Sequence, residues 1–151
     1  MRIPINKQLI LSRISEILKD VNKLSRFKEM DLSEFIQGEN FAIAEHYLRR
    51  ALEAVFDIGN HILSRLPESR AYSYKEIAAK LGESGIVSRE FMEKKLIKMT
   101  GYRNRLTHFY SEVTSEEMYY IISKDLDDFI EFINFVKVVL ENPEKFNLKV
   151  D

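Results

Sequence analysis

Apolar residues recur at helical steps through four long stretches of this chain, and no stretch alternates as a strand would. In residues 5–28, Ile10, Ile14, Ile17, Val21 and Leu24 follow one another at steps of four, three, four and three. That is an amphipathic helix with a heptad-like seam. Residues 41–66 repeat the pattern through Ala44, Leu48, Ala51, Val55, Ile58 and Ile62. Residues 89 to about 108 do so through Phe91, Met92, Leu96, Met99 and Leu106, with Phe109 just beyond, and residues 114–140 through Met118, Ile122, Leu126, Phe129, Ile133, Val136 and Leu140. Stretches of twenty residues or more are too long for strands and right for bundle helices. The expected fold is therefore all-α, an antiparallel four-helix up-down bundle.

Punctuation gives the edges. Asn6, Asn40 and Ser88 are placed to cap helices, because a short polar side chain there can accept from the orphan N–H groups of the first turn. Ser73-Tyr74-Lys75-Glu76 and Thr114-Ser115-Glu116-Glu117 read as capping boxes. The first opens one short extra helix to about Leu81. Pro67 and Asn142-Pro143 stop helices. Long helices are expected near 6–28, 40–66, 88–108 and 115–140, in a single domain over 1–151 whose tail from about 143 is loose or laid on the surface. Alanines 44, 51 and 54 suggest a close helix–helix approach, and Gly101 a kink or the close approach of another backbone.

The chain has 151 residues and no cysteine. Disulfides, cysteine-zinc sites and a cysteine nucleophile are excluded. No run of 18 apolar residues and no signal-peptide core appears, so no membrane span and a cytoplasmic location are expected. Net charge is −1, which makes the whole molecule no general trap for nucleic acid. The charge is unevenly spread. Between Lys94 and Tyr110 lie Lys94, Lys95, Lys98, Arg103 and Arg105 with no acid, whereas Glu112, Glu116, Glu117, Asp125, Asp127, Asp128 and Glu131 dominate the next twenty residues. Two readings are open. The faces pair with each other or with a partner, or Lys94, Lys95, Lys98 and Arg105 form a phosphate patch around His108.

Candidate chemistry concentrates at Arg103, Asn104, His108 and Tyr110. Asn104 and His108 are four apart, so on a helix they share a face and an Asn amide can fix the histidine tautomer. Arg103 lies roughly 140° round the helix from His108. The two converge on one substrate group if Arg is extended or the helix ends near His108. Asp57, Asn60 and His61 make a second polar cluster, read either as a surface ion pair or as lining the groove of His108. Asp57 and His61 offer two possible metal ligands, too few to claim a metal, and no cofactor is expected.

Arg103-Asn104-x-x-x-His108-x-Tyr110 resembles the Arg-x4-His-x-Tyr motif of HepT-type HEPN toxins. The resemblance extends over roughly residues 5–140, through Asp57-Ile58-Gly59-Asn60-His61 and Leu126-Asp127-Asp128-Phe129. It implies a small helical bundle that acts as a metal-independent endoribonuclease on RNA. It also implies catalytic Arg103 and His108, a supporting Asn104 and a homodimer with facing motifs. The partner it implies is a nucleotidyltransferase antitoxin that transfers AMP to Tyr110. A non-catalytic HEPN module that binds such a transferase or a nucleotide is the alternative. A third reading is a helical adaptor with no site.

Overall fold

The computed structural model describes residues 3–108 and 113–151. Phe109 and Tyr110, a core candidate and the modification candidate, lie outside the described residues. In order the elements are α1 (Lys7–Ser25), a 3-10 turn (Arg26–Glu29), α2 (Leu32–Phe35), α3 (Asn40–Leu63), α4 (Tyr74–Glu83), α5 (Arg89–Phe91), a π-helical turn (Met92–Leu96), α6 (Ile97–Thr107), α7 (Ser115–Lys124), α8 (Leu126–Glu141) and a 3-10 turn (Pro143–Phe146).

Ion pairs give the direction of the long helices. Arg13 of α1 meets Asp57 of α3 and Asp20 meets Arg50, both at 3.5 Å, so the numbers run in opposite directions and the helices are antiparallel. Arg49 of α3 reaches the carbonyl of Leu106 while Glu53 pairs with Arg103, which makes α6 antiparallel to α3. Lys98 pairs with Asp125, and Lys95 with Glu131, so the last long segment is antiparallel to the π-turn–α6 segment. The expected up-down bundle is therefore present, with α4 packed against α3 and α6 as the extra helix. Phe35, Phe56, Phe91 and Phe132 are fully buried in its core.

The caps at Asn6, Ser73, Ser88 and Thr114 form as expected, each accepting from an N–H three residues on. The cap at Asn40 does not. Glu39 holds that position, and the Asn40 amide donates instead to the Glu34 carbonyl at 3.1 Å. Helix α1 gives way to a 3-10 turn after Ser25, and α3 stops at Leu63, where turn bonds carry the chain toward Pro67. The last long helix is broken at Asp125.

One of the two uses expected of Gly101 is not seen: among the described residues outside its own helix no heavy atom lies within 4 Å of a Cβ built there, so no other backbone approaches. The close approaches are at Gly59, whose added Cβ would lie 2.8 Å from Leu81 Cδ1, and at Gly82, 2.8 Å from Met92 Cβ. Nor is the tail from 143 loose. Leu148 is buried, the Ile5 N–H donates to the Lys149 carbonyl at 2.8 Å, and the Asp151 N–H to the Ile5 carbonyl at 2.9 Å. A stretch carrying Phe146, Leu148 and Val150 has apolar surface to bury, and the N-terminal segment gives it backbone partners.

Candidate functional site

Helix α6 ends at Thr107, and His108 leaves it in an extended conformation (φ −104°, ψ 126°) with its N–H donating to the Asn104 carbonyl at 3.2 Å. His108 is thus a C-cap residue rather than a member of the helical face. It is exposed and lines an open cleft of about 570 Å³ together with Phe41, Glu45, Arg49, Arg105 and Thr114. Arg49 Nη2 donates to the Leu106 carbonyl at 3.1 Å and to Glu45 Oε1 at 3.3 Å. It ties one of the last carbonyls of α6 to α3 and fixes where the chain departs toward His108.

Arg103 faces another part of α3. Its Nε donates to Glu53 Oε1 at 3.1 Å, and its guanidinium lies 3.9 Å from the centroid of the Tyr74 ring on α4. Its side chain is 16% exposed. Carboxylate on one edge and aromatic face beneath are the two contacts a planar guanidinium makes best. Burial raises the Tyr74 phenol above its ordinary value, with the Glu53 charge adding to the effect. Asn104 joins the two candidates, since its Oδ1 accepts from Arg103 Nη1 at 3.5 Å and its carbonyl accepts from His108. Glu45 and Glu53, which mark the two neighbourhoods, are eight residues apart on α3, about 12 Å along the axis.

The basic residues upstream are held by acids. Lys94 meets Glu90 at 3.3 Å, Lys95 meets Glu131 at 2.7 Å and Asp128 at 3.4 Å, and Lys98 meets Asp125 at 3.2 Å. Arg105 grips both oxygens of Glu117, with Nη2 to Oε1 at 2.7 Å. The Glu117 contact raises Arg105 above its ordinary pKa, and the Glu131 contact does the same for Lys95. Each of these four basic residues thus has an acidic neighbour within 4 Å.

Asp57, Asn60 and His61 line a cleft that, among the described residues, shares no lining residue with that of His108. Within it Asp57 meets Arg13, and His61 Nε2 accepts from the Asn6 N–H at 3.0 Å. Asp57 and Asn60 also line a smaller cleft walled by Tyr74, the ring that carries Arg103. Among the described residues no group of three or more His, Cys, Asp or Glu could hold a metal ion, and no helix is long and apolar enough to cross a membrane.

Sequence reading missed Arg49, Glu53 and Tyr74. A signal existed for the first two: Glu45, Arg49, Glu53 and Asp57 step by four along α3, a polar stripe along one face of the helix. Nothing local marks Tyr74, whose link to Arg103 spans two helices.

Residues 14–136 match the profile of the family described as Ribonuclease HepT-like. The chain is 27% identical over 140 residues to the tRNA nuclease HepT of Aphanizomenon flos-aquae, covering 92% of this chain and 95% of that protein. It is 26% identical over 132 residues to the mRNA nuclease HepT of Shewanella oneidensis, covering 85% and 96%. Its fold is similar to the tri-AMPylated Shewanella oneidensis HEPN toxin solved in complex with MNT antitoxin, with TM-score 0.78, 25% identity, and 86% and 97% of the two chains covered. It is also similar to a chain in a mutant toxin–antitoxin MntA–HpeT structure, with TM-score 0.76, 25% identity, and 87% and 98% covered.

Proposed function

This chain belongs to the Ribonuclease HepT-like family, and on that premise we propose that it is the toxin of a toxin–antitoxin pair, an endoribonuclease that cuts RNA without a metal. The observation that carries the reading is the end of α6, where His108 stands at the mouth of an open cleft while Arg103 is held by Glu53 and Tyr74. His108 takes the proton from a ribose 2′-OH, since an imidazole titrates near neutrality. The 2′-oxygen attacks the adjacent phosphorus, the bond to the 5′-oxygen breaks, and that oxygen takes up a proton. Arg103, always charged and forked, steadies the phosphorane-like transition state. Asn104 positions both residues. The motif offers one histidine per chain, and this step needs both a base and an acid. A homodimer with facing motifs supplies the second histidine.

For regulation the support is the similar Shewanella oneidensis HEPN toxin, which is tri-AMPylated and in complex with MNT antitoxin. A nucleotidyltransferase antitoxin transfers AMP from ATP to the Tyr110 hydroxyl: the phenol oxygen bonds the α-phosphorus, pyrophosphate leaves and the phenolic proton is lost, which adds a phosphodiester charge and a bulky nucleoside two residues from His108. The second reading, a module that binds a transferase without cutting, draws support from the ion-paired basic residues and the net charge of −1.

One experiment separates the readings. Pure protein in EDTA is expected to cleave RNA and to sediment as a dimer at micromolar concentration. His108→Ala and Arg103→Ala each lose at least about a hundredfold in rate with helicity unchanged. With the transferase and ATP, mass spectrometry finds AMP on Tyr110, and Tyr110→Phe escapes the block. An inert wild-type protein leaves the non-catalytic module. Near wild-type cleavage by either variant removes the assigned roles, a monomer removes the dimer, and an adduct elsewhere removes the regulation.

A further inference from the structure

The loop between α3 and α4 carries a feature that the reaction above does not use. Tyr72 is 75% exposed, the highest value among the large apolar and aromatic residues described. Its backbone is nevertheless held. The Tyr72 N–H donates to Glu76 Oε2 at 2.9 Å, the next residue caps α4, and the Arg70 guanidinium lies 5.1 Å from the Tyr72 ring centroid. Beside it opens a cleft of about 220 Å³, lined by Phe56, Asp57, Asn60, Tyr72, Ser73 and Tyr74 among others. Tyr74 forms one wall of this cleft and also lies 3.9 Å from the Arg103 guanidinium.

We propose that this cleft between α3 and the start of α4 is a nucleobase-binding site, which takes one unpaired base of a single-stranded RNA whose phosphate Arg103 engages. The inference rests on the ribonuclease reading for its ligand class. Proteins read single-stranded RNA by stacking splayed bases on aromatic rings and guanidinium planes and by hydrogen-bonding their edges. Tyr72 with Arg70 supplies the plane. Asp57 supplies acceptor oxygens, and Asn60 both a donor and an acceptor. Size argues for a single base, because sites for whole drug-sized ligands begin near about 300 Å³. Placement argues for RNA over an unrelated ligand: one aromatic ring separates the cleft from the cation assigned to the phosphate. Asp57, which meets Arg13 at 3.5 Å, and Asn60 thereby gain a role in the cleft they line.

The test uses 5′-labelled, 2′-O-methyl single-stranded oligonucleotides, which cannot undergo 2′-OH attack, and reads binding by fluorescence anisotropy. Tyr72→Ala is expected to weaken binding about tenfold, the loss of one stacked base, while Tyr72→Phe stays within about twofold because the ring remains. On cleavable RNA, Tyr72→Ala raises KM and leaves kcat near the wild-type value. An exposed ring can be truncated without unfolding the helices, and circular dichroism checks that. Equal affinity of wild type and Tyr72→Ala overturns the inference, as does absence of any binding by wild type. Failure of the ribonuclease reading shows separately, as RNA left intact in EDTA by a protein that still binds the 2′-O-methyl strand through Tyr72.

Discussion

Arg103 takes its place from residues remote in the chain, whereas Asn104 and His108 follow it within five positions. The contacts that hold Arg103 come from Glu53, fifty residues earlier, and from Tyr74 on another helix. Periodicity says which face of a helix is apolar and says nothing about which polar residue will meet it. The same limit applies to Asp20, which sits among the core residues of α1 with a side chain 1% exposed. Neither carboxylate oxygen has a hydrogen bond among the described residues, and the half-exposed Arg50 approaches only to 3.5 Å. Burial raises the Asp20 pKa, with Arg50 acting against it. A folded pKa above the unfolded value means that Asp20 adds stability when protonated, at low pH, and that this is lost as pH rises through the folded pKa. Asp20→Asn removes the charge and keeps the shape, and Arg50 can return to water. The variant is expected to be more stable by about 1 kcal/mol at pH 7, an advantage that shrinks near pH 4. Urea unfolding at the two pH values checks this, and a variant less stable at pH 7 refutes it.

At the scale of elements, caps and stripes carried the reading because both are local. Serine or threonine before a polar first turn commits the backbone with little help from elsewhere, and four of the expected caps form. The interruptions were hidden. Met92–Leu96 is a π-helical turn inside a stretch with no proline and no glycine. Asp125 breaks the last helix with φ −110° and ψ 0°, while accepting from Tyr102 Oη at 3.0 Å and Lys98 Nζ at 3.2 Å. Both sit where segments meet, so tertiary contacts decide them rather than propensity. The glycines test this directly. A Cβ on Gly82 would stand 2.8 Å from Met92 Cβ and Cγ, at the π-helical turn; the Met92 chain end can turn away, but its Cβ is fixed to the backbone. Gly82→Ala is expected to cost about 1–3 kcal/mol. Gly101→Ala meets open space within a helix and is expected to gain up to about 1 kcal/mol. In thermal unfolding the two should move Tm in opposite directions, by about 3 °C per kcal/mol for a chain of this size. A shift of the same sign for both would refute the packing argument.

Across the whole molecule, both ends of the chain meet at the C-terminal part of α3. His61 Nε2 accepts from the Asn6 N–H, Arg65 Nε donates to the Pro4 carbonyl at 3.2 Å, and Ile5 bridges to Lys149 and Asp151 through its backbone. The tail's apolar residues were visible in the sequence, but the surface they would cover was not, since it is built by a segment more than a hundred residues away. This arrangement makes closure of the bundle sensitive to acid. Nε2 can accept only while His61 is neutral, and burial, with the Arg65 charge, lowers the His61 pKa. A depressed folded pKa means that the unfolded chain takes the proton first as pH falls. The stability contribution is complete above the unfolded value of about 6.5 and is lost as pH drops through the folded value. Asp20, Asp57 and Asp128 carry raised pKa values, so their contributions grow as pH falls and oppose the trend in the wild-type curve. The difference between wild type and His61→Gln isolates the histidine, because a glutamine amide oxygen can accept the same N–H and does not titrate. Wild-type stability relative to the variant should fall from pH 7.5 to pH 5.5, measured by urea unfolding. Proteolysis at the tail should rise with it in wild type and stay flat in the variant. A difference independent of pH would mean that His61 holds the ends by packing, with no part played by its lone pair.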